Sequence, residues 1–124
     1  MIFGVGVDIL DPKRIENTIA PDDSFLLHTF TEAEREAAPE GEVARLDWYA
    51  GRFAIKEAVF KALRDDAFHS RLYEIETLRT ADGSPYAALH GRTKDRAADK
   101  GIVAVHVSLS KESGLVCAFA VAEK

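Results

Sequence analysis

The sequence predicts an α+β domain: an antiparallel sheet packed on one long helix, with shorter helices beside it. Three observations carry this. A helical pattern runs from about Glu42 to Leu63 with no proline and one glycine, Gly51. Alternating apolar runs lie near both ends of the chain. The helical stretches are gathered between strand pairs instead of alternating with single strands. With 124 residues, 47% of them hydrophobic, the chain suits one domain spanning 1–124 around one core.

Each element has a local reason. Residues 2–10 alternate as a strand, with Phe3, Val5, Val7 and Ile9 on one face and Ile2, Gly4, Gly6, Asp8 and Leu10 on the other. Glycines inside a strand mark the close approach of another backbone or of a ligand. Asp11-Pro12 opens a helix reaching about Ile19. Pro21-Asp22-Asp23 breaks the chain before a short helix carrying Phe25, Leu26 and Leu27. Thr31-Glu32-Ala33-Glu34 matches a capping box and starts a third helix that ends before Pro39. After the long helix, residues 72–79 read as a strand, Asp82-Gly83-Ser84-Pro85 as a turn and 86–90 as the returning strand. Gly91 to Lys100 reads as a helix closed by Gly101. Residues 102–109 and 114–122 alternate as a last hairpin, with Ser113-Gly114 in its turn.

Composition narrows the function. One cysteine, Cys117, sits in an apolar alternating run, so it reads as a small core residue and offers neither a disulfide nor a zinc cluster. A net charge of -5 does not favour nucleic acid. The apolar start Met1–Leu10 lacks a basic leader and carries Asp8, so it reads as neither signal peptide nor membrane span. A cytoplasmic protein without membrane partners is expected.

The long helix holds the candidate chemistry. Trp48, Ala54, Ile55, Ala58, Val59 and Ala62 form one apolar arc, and Leu46, Tyr49, Ala50, Phe53 and Phe60 a second. Arg45, Arg52 and Lys56 form a narrow row between them. Glu57 falls among the apolar residues, one turn before Lys61. Such a carboxylate needs a cation: either Lys61, as a surface ion pair, or a bound metal. Asp8 likewise reads either as a cap for the Pro12 helix or as a ligand. Together, Asp8 and Glu57 offer two hard oxygen donors, the pattern magnesium takes when waters and substrate phosphates complete its shell. The basic row and Lys61 would meet those phosphates. On the strand from Ile102 to Leu109, His106, Ser108 and Ser110 share one polar face with Ala104.

These motifs resemble the holo-acyl-carrier-protein synthase family of 4′-phosphopantetheinyl transferases. The resemblance rests on Gly4-Val5-Gly6-Val7-Asp8-Ile9 with Arg14-Ile15, on Ala50-Gly51-Arg52-Phe53-Ala54-Ile55-Lys56-Glu57-Ala58-Val59-Phe60-Lys61-Ala62, and on His106-Val107-Ser108-Leu109-Ser110. Phe30-Thr31-Glu32-Ala33-Glu34, Glu74-Ile75-Glu76 and Gly83-Ser84-Pro85-Tyr86 agree more weakly. The match spans nearly the whole chain in order. It implies a homotrimer with coenzyme A between neighbouring subunits, and a role in fatty acid biosynthesis or a related carrier-dependent pathway. Asp8 and Glu57 match magnesium ligands. Arg52, Lys56 and Lys61 match positions near the coenzyme A phosphates, and His106 one at the nucleotide. Arg14 matches a basic residue that docks the acidic apo-acyl carrier protein. The implied reaction is attack by the carrier serine on the phosphorus bearing the pantetheine arm, with Glu57 or a water taking the proton. A non-catalytic homologue that binds coenzyme A or carrier is the alternative; retention of Asp8, Glu57, Lys61 and His106 argues against it. Two departures stand out. Leu63-Arg64-Asp65-Asp66 replaces a Gly-Thr-Gly-type loop, and Lys111 stands where many members have histidine.

Overall fold

The structure, a computed structural model, describes residues 1–65 and 71–124. Its elements run β1 (Ile2–Leu10), α1 (Pro12–Ile19), α2 (Ser24–Thr29), α3 (Glu32–Ala37), α4 (Glu42–Leu63), β2 (Ile75–Arg79), β3 (Pro85–Leu89), α5 (Gly91–Asp99), β4 (Ala104–Glu112) and β5 (Leu115–Glu123). The strands form two antiparallel sheets, one ordered β1-β5-β4 and one pairing β2 with β3. The α+β expectation holds.

Several local signals act as read. Asp11 caps α1, its carboxylate accepting from the Lys13 amide at 3.0 Å. That leaves Asp8 without the capping role. The Thr31–Glu34 box is complete: the Glu34 amide donates to the Thr31 hydroxyl at 3.2 Å and the Thr31 amide to Glu34 at 2.8 Å. Some details differ from expectation: the strand expected over 102–109 runs from Ala104 to Glu112. Residues 72–74 belong to a short 3₁₀ turn, and β2 begins at Ile75. Phe3 leaves the Val5 face, because the β1–β5 register shifts between Ile2 and Gly4. Its ring packs against the core and beneath the Arg64 guanidinium.

The core is the seam between α4 and the three-stranded sheet. Ala50, Ala54, Ala58 and Ala62, four residues apart, form one ridge on α4, and all are fully buried. They meet a sheet face of Gly4, Gly6, Ala118, Ala120 and Ala122. Small residues on both sides bring the backbones close. A methyl placed on Gly4 would lie 2.2 Å from the Ala62 carbonyl oxygen, and one on Gly6 would lie 1.9 Å from that of Ala58. These are backbone atoms, so no rotamer change can relieve the overlap.

Gly6→Ala is therefore expected to lower stability by about 3 kcal/mol or more, the upper range for overpacking a filled core. Chemical denaturation monitored by circular dichroism measures this.

Candidate active site

Asp8 is on the helix-facing side of β1, two residues beyond the Gly6–Ala58 contact. Glu57 precedes Ala58 on α4. Close approach of the two backbones brings both carboxylates to one open cleft of about 410 Å³. Arg14 and Thr18 from α1, with Phe25 and Phe53, are among the residues that line it. The Lys61 ammonium donates to the Val7 carbonyl at 2.8 Å and lies 3.6 Å from the Asp8 carboxylate. Burial pushes the Asp8 carboxyl above its ordinary range; Lys61 opposes this, while the charge of Glu57 adds to it. Arg14 exerts a weaker pull in the direction of Lys61. Among the described residues no three His, Cys, Asp or Glu side chains gather as a metal cage. Two carboxylates beside an open cleft suit a magnesium ion that keeps water and phosphate ligands.

The basic row does not work as a unit. Arg45 lies over the Tyr49 ring at 5.1 Å and lines a separate cleft with Arg35 and Leu26. Twelve residues separate it from Glu57, roughly 18 Å of helix. Arg52 is 3% exposed and stacks on Trp48 at 4.9 Å. Burial and the nearby Arg79 charge lower its pKa to about 10. Lys56 is fully buried, its ammonium 2.8 Å from Glu34. The ammonium that the resemblance places near the coenzyme A phosphates is thus held by a carboxylate of the same chain. Arg52 and Lys56 are enclosed by packing, while the partly exposed Arg45 opens onto the other cleft, so the three do not present one surface to a ligand.

His106 and Ser108 are not brought to Asp8 within one chain. Through the register His106–Val121–Val5 and Ser108–Phe119–Val7 they occupy the open face of the sheet, opposite α4. The His106 ring lies 3.1 Å from Glu123. Lys111 falls on the other face, opposite Val116, in a cleft with Pro12 and Asp47. Of the departing loop, Asp66 lies outside the described residues. Asp65 is paired with Arg96 and, at 3.4 Å, with Lys100, so its negative charge is compensated within the fold. Thr18, Phe25 and Phe53 were not singled out from sequence as cleft residues. Helical periodicity gives their faces but not the neighbour across from them.

For the metal-free protein, Asp8→Asn is expected to raise the thermal midpoint at pH 7. A carboxyl whose folded pKa is raised holds its proton to higher pH than in the unfolded chain, so its ionised form weighs against folding. The gain should shrink as pH falls through the folded pKa of Asp8, above 3.8. Calorimetry across pH tests the sign.

Residues 4–120 match the model of the 4′-phosphopantetheinyl transferase superfamily. The chain is 40% identical over 123 residues to the holo-[acyl-carrier-protein] synthase of Desulforudis audaxviator, covering 98% of this chain and 93% of that one. It is 37% identical over 123 residues to that of Clostridium kluyveri, covering 99% and 91%. The crystal structure of holo-[acyl-carrier-protein] synthase from Neisseria meningitidis superposes with a TM-score of 0.86 at 30% identity, covering both chains completely. Likeness of this kind runs the length of the chain and includes the strand and helix that bear Asp8 and Glu57, and with it the chain belongs to the 4′-phosphopantetheinyl transferase superfamily, among its holo-[acyl-carrier-protein] synthases.

Proposed function

We infer that the cleft holding Asp8 and Glu57, with Lys61 beside Asp8, is the centre at which this chain transfers 4′-phosphopantetheine from coenzyme A to a serine of an apo-acyl carrier protein. The observation that carries this is the shared cleft itself: carboxylates from distant parts of the chain flank one opening, with an ammonium 3.6 Å from one of them.

Asp8 and Glu57 would hold a magnesium ion. The partly desolvated Asp8, further burdened by the charge of Glu57, is a carboxylate that a cation relieves. When bound, the ion supplies charge neutralisation at the pyrophosphate of coenzyme A. Lys61 is half-exposed and near enough to turn its ammonium to a phosphate oxygen. The serine oxygen forms a bond to the phosphorus bearing the pantetheine arm. Glu57 or a water takes the serine proton, and the bond from that phosphorus to the adenosine 3′,5′-bisphosphate oxygen breaks. Arg14 lines the same cleft from α1 and is exposed, which suits contact with an acidic carrier.

The functional unit in this reading is a homotrimer. Val5, Val7, Ile9 and Phe119 leave an apolar stripe open to solvent on the sheet face opposite α4. A stripe of this kind on a small domain suits a second copy. His106 and Ser108 lie on that face, so a neighbouring copy can bring them to the coenzyme A nucleotide. Phe119 is 46% exposed, and Phe119→Glu is expected to convert the trimer to monomers in analytical ultracentrifugation.

Incubation with coenzyme A, magnesium and apo-carrier, followed by mass spectrometry of the carrier, is expected to give a gain of one phosphopantetheine. Asp8→Ala and Glu57→Ala should each slow transfer by on the order of 100-fold, the scale for removing one preorganised charge stabiliser. Full-rate transfer by Glu57→Ala would remove Glu57 from the centre.

A further inference from the structure

Lys56 and Glu34 form a closed cluster whose hydrogen-bonding capacity is used up. The Lys56 ammonium has three donors. They go to Glu34 Oε1 at 2.8 Å, the Leu72 carbonyl at 3.0 Å and the Ile75 carbonyl at 2.6 Å. Glu34 is 1% exposed. Its Oε1 also accepts from the Thr31 amide at 2.8 Å, and its Oε2 accepts from the Thr77 amide at 2.9 Å and hydroxyl at 2.6 Å. The Phe30 ring covers the ammonium at 5.1 Å. No donor remains for a phosphate, and there is no opening through which one could arrive.

The cluster touches three elements besides α4: the start of α3, the turn before β2, and β2 itself. One turn of α4 is thereby tied to a fixed direction. Successive helical residues point about 100° apart, so the direction of Lys56 sets that of Glu57. The alanine ridge fixes how deep α4 sits on the sheet but resists rotation weakly, because alanine faces are smooth. A buried ion pair with every hydrogen bond satisfied does resist rotation, since turning the helix would strand charge in the interior.

We propose that Lys56 and Glu34 are positioning residues for the transfer reaction, holding α4 at the rotation that aims Glu57 into the Asp8 cleft, and that Lys56 does not touch coenzyme A. This rests on the reading of Glu57 above. Burial lowers the pKa of Lys56, and the neighbouring Glu34 carboxylate opposes that shift.

One test does not depend on activity. Brief acetylation of the folded protein, mapped by mass spectrometry, should modify Lys61 and spare Lys56, and coenzyme A should leave the Lys56 result unchanged. Acetylation of Lys56 that coenzyme A suppresses would overturn the proposal while leaving the site reading intact. A second test is kinetic. Lys56→Met/Glu34→Gln removes both buried charges together, which avoids stranding either one. Its kcat should fall about tenfold from misaimed Glu57, while KM for coenzyme A stays within about twofold. Titration calorimetry with coenzyme A should count the same sites per chain as wild type, which excludes an inactive fraction. A tenfold rise in KM with kcat kept, or unchanged kcat, would overturn the proposal. If the double variant does not fold, Thr77→Val, which removes one hydrogen bond to Glu34, is judged by the same split. Failure of wild type to transfer phosphopantetheine would overturn the site reading and with it the positioning role, whereas the acetylation result separately decides whether Lys56 is closed to coenzyme A.

Discussion

The close seating of α4 on the sheet governs this molecule. Four alanines on one ridge meet two glycines and three alanines, and the Ala58 and Ala62 carbonyls lie where side chains of β1 would otherwise stand. Asp8 is two residues past Gly6 on the same strand face, about 6.6 Å along. Glu57 is one residue before Ala58. A wider spacing between helix and sheet would separate the two carboxylates by the same amount. The small residues of the seam thus serve the site as much as the core.

Seating sets distance, and a second contact sets angle. The ridge is apolar and featureless, whereas the Lys56–Glu34 cluster is polar and saturated. A buried ion pair adds little net stability over apolar residues of the same volume, because desolvation offsets the attraction. What it adds is directional: each acceptor lies in one place. The capping box at α3 belongs to the same arrangement, since Glu34 serves the Thr31 amide, the Lys56 ammonium and Thr77 together. A residue legible from sequence as a helix cap is also the counter-ion of the long helix.

The sheet divides the candidate site residues between its two faces. Asp8 shares the helix side with the cleft, while His106, Ser108 and the apolar stripe of Val5, Val7, Ile9 and Phe119 share the open side. Strand alternation makes this division unavoidable: residues of opposite parity cannot meet across their own sheet. Chemistry that uses both faces has to be completed from outside the chain. Asp65, paired with Arg96 and Lys100, has its own negative charge compensated within the fold.

Local pattern alone determined the elements of this protein, the α1 and α3 caps, the glycine face of β1 and the pairing of two carboxylates as candidate ligands. These are written in spacings of two, three and four residues, which the backbone converts directly into faces. Tertiary structure decided what covers each face. It turned Lys56 inward to Glu34, laid Arg52 on Trp48, sent Arg45 to another cleft and moved Phe3 into the core through a register shift. The row Arg45, Arg52 and Lys56 has the same appearance in sequence whether solvent, a ligand or β2 lies opposite. Periodicity gives a residue's direction about its own axis, and only packing supplies the neighbour in that direction.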